Sequence, residues 1–215
     1  MIGTSDPHSG QPVLHAGAEL PGAWAGMVMI HGRGASAGDI IALASAFERP
    51  DVAYLAPEAS GNTWYPHPFM SPVERNEPGR RSALGVIGGL VAFFGDHGIP
   101  PERVAVLGFS QGACLALEFA ARNPRRYGAI VGLTGGLIGA TVSAADYDGS
   151  LAGTPVFIGS SDIDPHIPLA RVKETSAIFS ALGAEVVERI YPGMAHTINE
   201  DEVGAVKALI DRMTE

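Results

Sequence analysis

AVLGFSQGACLALEF, residues 105–119, sets one serine between two glycines at the junction of an apolar run and a helix-like run. Val104 to Leu107 is short, rich in β-branched residues and preceded by Pro100-Pro101, so it reads as a buried strand. From Gln111 to Arg122 the chain is rich in Ala and Leu and apolar nearly all round, which predicts a central helix. Ser110 therefore lies at a strand-to-helix turn. Gly108-Phe109-Ser110-Gln111-Gly112 fits G-x-S-x-G, the pattern in which a strained turn lifts a serine hydroxyl over the end of a sheet. Side chains at 108 and 112 would collide with the neighbouring strand and helix, so both positions call for glycine. The five residues alone also suit a plain structural turn; the order strand, turn, helix favours a nucleophile.

The same alternation extends outward. Strand-like runs fall at 13–16, 27–31, 52–56, 104–109, 129–133, 156–159 and 186–191, with helix-like runs at 38–47, 82–94, 112–122, 169–182 and 202–213. Strands apolar throughout and separated by helices imply a parallel sheet covered on both faces. The predicted class is α/β: a doubly wound, mostly parallel sheet of about seven strands. At 215 residues one large domain is expected over 1–215, with 1–25 as an N-terminal segment. The longest stretch without a periodic pattern is 57–81; a loop of that length in a compact domain is usually functional, and its Trp64, Tyr65, Phe69 and Met70 are too apolar for a solvated linker.

Composition excludes several classes. The net charge of −9 argues against a nucleic-acid surface. Cys114 is the single cysteine, which rules out an internal disulfide and a cysteine-based metal site, and it reads as a small buried hydrophobe. The first twenty residues show neither a basic n-region nor an apolar h-region, and the apolar region near Gly85 to Phe94 is too short and glycine-rich to span a membrane. A cytoplasmic location is the default expectation.

A serine hydroxyl needs a base to take its proton, and histidine is the usual one. Only His166 and His196 follow Ser110, and in hydrolases of this layout the order is serine, acid, histidine. His196 lies past the last strand and ahead of the last helix, in a loop at the carboxyl edge of the sheet, where ligands bind in open α/β sheets. It is the candidate base, and His166 a rim residue. Asp162 and Asp164 both follow the strand at 156–159; Asp164 is preferred because Pro165 restrains the turn that presents it, leaving Asp162 as a turn-capping residue. For an oxyanion, one donor is the backbone N–H of Gln111 at the start of its helix. The second is assigned to the N–H of Arg33 in His31-Gly32-Arg33-Gly34, although such glycine-rich loops also serve as plain connections. His31 reads as a packing residue under that loop, and His8, His15 and His97 as surface residues.

With these sites in hand, the chain resembles the phospholipase/carboxylesterase family of α/β-hydrolases, which includes the acyl-protein thioesterases. The resemblance rests on His31-Gly32-Arg33-Gly34, Gly108-Phe109-Ser110-Gln111-Gly112-Ala113, Asp164-Pro165-His166-Ile167-Pro168 and Tyr191-Pro192-Gly193-Met194-Ala195-His196. It implies an α/β-hydrolase fold without a large cap domain, Ser110 as nucleophile, Asp164 as acid and His196 as base, and hydrolysis without cofactor or metal. Trp64-Tyr65 resembles the aromatic pair beside the family's acyl site. The chain departs from the pattern at Pro66, where a polar residue is more usual, and at Arg33, bulky for an oxyanion loop; both bear on the acyl pocket and hence on the substrate.

The leading expectation is a serine carboxylesterase acting on small to medium acyl groups through an acyl-enzyme. Trp64, Tyr65, Phe69, Met70, Ile167 and Met194 are candidate substrate-binding residues. A thioesterase or lysophospholipase with the same triad is the close alternative, and a catalytically silent binding protein the alternative from another class. The expected partner is a small-molecule ester or thioester, with no nucleic acid and no membrane span, and a homodimer is allowed.

Overall fold

Apolar runs bounded by Gly and Pro become strands, and the Ala- and Leu-rich runs between them become helices. The computed structural model describes residues 6–214. Seven strands form one sheet: β1 (Val13–Gly17), β2 (Ala25–Ile30), β3 (Val52–Pro57), β4 (Val104–Phe109), β5 (Ala129–Leu133), β6 (Pro155–Ser161) and β7 (Glu185–Tyr191). Their order is β1-β3-β2-β4-β5-β6-β7, parallel throughout except for β1 against β3. The helices are α1 (Ala37–Ile41), α2 (Ala44–Phe47), α3 (Gly79–Asp96), α4 (Gln111–Arg122), α5 (Leu169–Ala181) and α6 (Glu200–Thr214).

The two faces of the sheet explain the unbroken apolar strands. Val28 and Ile30 pack with Ile87 of α3, Leu115 of α4 and Phe179 of α5, whereas Met27 and Met29 pack with Ile40 of α1, Phe47 of α2 and Ile210 of α6. Successive residues thus enter opposite cores, so none of β2 to β6 needs a polar face. β4 lies in the middle of the order, and every residue of α4 but the last is buried, which accounts for a helix apolar all round.

Three readings change. The single helix predicted at 38–47 is divided into α1 and α2, because Leu43, Ser45 and Ala46 bond three residues back and tighten the chain into 3₁₀ turns. The loop predicted at 57–81 ends where α3 begins at Gly79, and contains short 3₁₀ turns at Ser60–Asn62 and Val73–Asn76. Of the N-terminal segment 1–25, residues 1–5 lie outside the described residues, and His8 is buried rather than at the surface. Ser60 N–H donates to His8 Nδ1 (3.1 Å), so the opposite nitrogen, Nε2–H, donates to the Trp64 carbonyl (2.8 Å). The segment is pinned to the long loop.

On α6, Glu202 Oε2 accepts from Asn199 N–H and Asn199 Oδ1 accepts from Glu202 N–H, each at 2.9 Å, a reciprocal cap. Oε1 is buried without a partner among the described residues and lies against Gly159 of β6. Burial, only partly offset by the Asn199 bond, pushes the Glu202 carboxyl up from 4.5 to about 7. A raised folded pKa means that stability is full below the unfolded value and is lost as pH rises through the folded one. We therefore expect Glu202→Gln to match the parent melting temperature at pH 4 and exceed it at pH 8. Thermal melts at both values check this, and a difference independent of pH would refute it.

Candidate active site

At the end of β4 the chain must reverse into α4 within one residue, and Ser110 does so at φ 54, ψ −117. A non-glycine residue with that backbone costs on the order of 1–3 kcal/mol and persists only where its surroundings enforce it. Ser110 N–H donates to the Leu133 carbonyl (3.0 Å), and its own carbonyl accepts from Cys114 N–H (3.0 Å). A Cβ at Gly108 would run into the backbone of Gly112, and one at Gly112 into the carbonyls of Ile30 and His31. Only glycine lets strand, turn and helix close this tightly.

Two loops at the same edge meet the serine. His196, between β7 and α6, lies with Nε2 2.8 Å from Ser110 Oγ and Nδ1 2.7 Å from Asp164 Oδ2. Asp164, after β6, has a fully buried side chain whose Oδ1 accepts from the N–H groups of His166 and Ile167, each at 2.8 Å. Burial works to raise its pKa, but the bonds from His196 and the two amides outweigh it and hold the carboxyl below its ordinary value. The ionised carboxylate takes the Nδ1–H, so Nε2 is free to accept from the Ser110 hydroxyl. Asp162 does not face the imidazole. Its Oδ1 accepts from Gly193 N–H at 2.8 Å, tying the loop of Asp164 to the loop of His196.

The amides of Arg33 and Gln111 lie on two other segments of this edge. Gly32 packs so close to the turn that a Cβ there would sit 3.3 Å from Ser110 Cβ, which brings the Arg33 loop against the serine. Neither the Arg33 nor the Gln111 backbone N–H has an acceptor among the described residues. The Gln111 side chain turns to the long loop, with Oε1 accepting from Trp64 N–H (3.0 Å) and Nε2 donating to the Tyr65 carbonyl (2.9 Å). His31 is buried and neutral in its bonding: Ala59 N–H donates to Nε2 (3.1 Å) and Nδ1–H donates to the Gly32 carbonyl (2.7 Å). Desolvation lowers its pKa.

A cavity of about 370 Å³ opens beside Ser110. Of the residues expected in a substrate pocket, Tyr65, Phe69 and Ile167 line it, whereas Trp64, Met70 and Met194 do not. Trp64 is packed between the rings of His8 (5.1 Å) and His31 (5.0 Å) and donates its Nε1–H to the His31 carbonyl (3.0 Å). It supports the loop from behind. Met70 sits half-exposed on the surface, and the Met194 sulfur accepts from the Asn199 amide (2.9 Å) in the loop of His196. The remaining lining is Arg33, Pro66, Pro68, Ser110, Gln111, Cys114, His166 and His196. The Arg33 side chain, singled out in the sequence for its bulk in a glycine-rich turn, thus lies at the cavity, whereas the sequence assigned a role only to its N–H. Cys114 is buried, and that burial pushes its thiol up to about 12, so it lines the wall as an apolar group. Among the described residues no cluster of His, Cys, Asp and Glu could hold a metal ion, and no helix is long and apolar enough to cross a membrane.

The family model described as Phospholipase/Carboxylesterase matches residues 23–214. A crystal structure of a phospholipase/carboxylesterase from Dyadobacter fermentans DSM 18053 is 42% identical, with a TM-score of 0.91 over 96% of this chain and 99% of that one. Esterase PE8, at 24% identity and a TM-score of 0.76 over 94% of this chain and 98% of its own, shares the fold. Among curated proteins, acyl-protein thioesterase 1 of Saccharomyces cerevisiae is 33% identical over 119 residues, 54% of this chain and 52% of the yeast protein. The chain spans about half the length of the curated relatives it matches.

The closeness of α4 to β2 gives a direct test of the turn. Gly112→Ala places a methyl against two backbone carbonyls that cannot rotate away, so we expect a loss of about 1–3 kcal/mol in denaturant unfolding, together with reduced turnover. Unchanged stability would show that the turn has room to relax.

Proposed function

We propose that this chain, which belongs to the phospholipase/carboxylesterase family, is a serine carboxylesterase with Ser110 as nucleophile, His196 as base and Asp164 as orienting acid. The observation that carries this reading is the continuous hydrogen-bonded chain Asp164–His196–Ser110 beside an open cavity. Ser110 Oγ attacks the ester carbonyl carbon as its proton passes to His196 Nε2, and the carbonyl oxygen becomes an oxyanion received by the Arg33 and Gln111 amides. Collapse breaks the bond to the alcohol, which leaves with the proton from Nε2. Water then enters, gives a proton to Nε2 and adds to the acyl carbon; Ser110 leaves with that proton and the acid is released.

The oxyanion donors carry a large share of the work beside the triad. Loss of one such donor typically raises a barrier by about 3–4 kcal/mol. The Asp164 carboxylate keeps the imidazole in the useful tautomer and stabilises it when protonated. A cavity of about 370 Å³ lies near the small end of ligand pockets, which supports acyl groups of small to medium size. A thioesterase reading has its own support in the curated relatives, since a thiol leaving group asks nothing different of these residues. A silent binding protein would be expected to lack a member of this set, and none is lacking.

We expect Ser110→Ala to lower ester turnover by several orders of magnitude while leaving the circular dichroism unchanged. Wild-type turnover in that variant would overturn the mechanism. The two aspartates should separate: Asp164→Asn lowers turnover by orders of magnitude through the wrong imidazole tautomer, whereas Asp162→Asn weakens the Gly193 tie and acts mainly on melting temperature. Paired turnover and melting measurements decide it, and the reverse pattern would transfer the acid's role to Asp162.

A further inference from the structure

The Arg33 side chain has no part in the mechanism above, yet it lines the same cavity as Ser110. Its guanidinium is held by three carbonyls of the long loop: Nη1 donates to Pro66 (3.1 Å), and Nη2 to Tyr65 (2.8 Å) and His67 (3.1 Å). It stands 6.0 Å over the Tyr65 ring. Carbonyls orient a cation without neutralising it. No carboxylate among the described residues forms an ion pair with Arg33. Its Nε–H and one Nη1–H have no acceptor among the described residues.

The rest of the cavity gives that charge no counterpart. No Asp or Glu side chain lines it; the other polar groups are Ser110, Gln111, Tyr65 and two histidines. The Gln111 amide is already spent on the Trp64 and Tyr65 backbone, and Asp164 lies behind His196, bonded to it. The chain as a whole carries a charge of −9, so its long-range field repels anions. Beyond about 8–10 Å that field is screened by salt, so a bound anion meets chiefly the groups at the mouth, where the guanidinium is the cationic side chain of the lining.

From this we infer that Arg33 forms an anion subsite at the mouth of the cavity, selecting esters that carry a carboxylate or phosphate on the acyl or the alcohol portion. The inference rests on the esterase reading above and names the substrate class of that same site. The charge-assisted hydrogen bonds from Nε and Nη1 hold the anionic group, and the three carbonyls keep the guanidinium from following it out of position. A lysine at 33 would keep the charge that attracts the anion and lose only the planar fork.

The test uses matched pairs in which a carboxylate is replaced by a methyl ketone of similar shape: ethyl hydrogen succinate against ethyl levulinate for the acyl side, and acetoxyacetate against acetoxyacetone for the alcohol side. The readout is the ratio of kcat/KM for the charged over the neutral ester, so that any effect of a substitution on the wall itself cancels. We expect the ratio in at least one pair to fall about tenfold in Arg33→Gln, which is about 1.4 kcal/mol, to be largely kept in Arg33→Lys, and to fall with added salt in the parent protein. The pair that responds tells on which side of the scissile bond the anion lies. Equal changes for both members of each pair in Arg33→Gln, or a ratio lost as fully in Arg33→Lys, would overturn the subsite and leave Arg33 as a strap on the wall. Absence of Ser110-dependent hydrolysis of all four esters would instead remove the esterase reading, and the subsite with it.

Discussion

Ser110 holds a backbone conformation that an isolated chain would avoid, and the surrounding structure is arranged to keep it there. The hydroxyl can stand clear of the sheet only because φ is positive, and φ stays positive because the strand before and the helix after are locked by the sheet edge and by contact between β2 and α4. The strain is small beside the burial of β4, whose side chains enter both cores, and of α4, whose side chains fill one of them. A central strand and an almost wholly buried helix are therefore the requirement for the turn, and the turn is the requirement for the site.

The long loop after β3 is held by a different set of forces. Three attachments converge on Trp64 to His67: the Gln111 amide, the Arg33 guanidinium, and the stack of His8, Trp64 and His31. The first two use backbone carbonyls and amides of the loop as partners, and the third holds it by the Trp64 side chain. The side chains of Tyr65 and Phe69 are thereby left to shape the cavity. Between Trp64 and His67, where the chain is neither helix nor strand, the loop is held because its backbone groups find partners one by one.

Most of the sheet was legible in the sequence because its strands are buried on both faces and bounded by Gly and Pro, a signal that needs no knowledge of neighbours. The positions of Ser110, Asp164 and His196 at loop tips followed from the same alternation. What escaped was directional. The sequence shows that Trp64 is large and apolar but not that it points toward His8 and His31, away from the cavity, because its partners come from residues 56 and 33 positions away. The burial of His8 was hidden for the same reason. The break between α1 and α2 leaves no mark in a run of helix-forming residues.

Ser110 and His196 stand on very different ground. Ser110 hangs from the central strand, whereas His196 follows β7, an edge strand whose residues are alternately exposed and half-buried, and is steadied by Asp162 across to Gly193. Protein structures open first where buried contacts are few, and the β7 end is such a place. Fraying there would carry the imidazole away from a hydroxyl that has not moved, so heat inactivation would set in while the central strands still resist exchange with solvent. On the mechanism proposed above, catalytic output would be a gauge of the rim, not of the core.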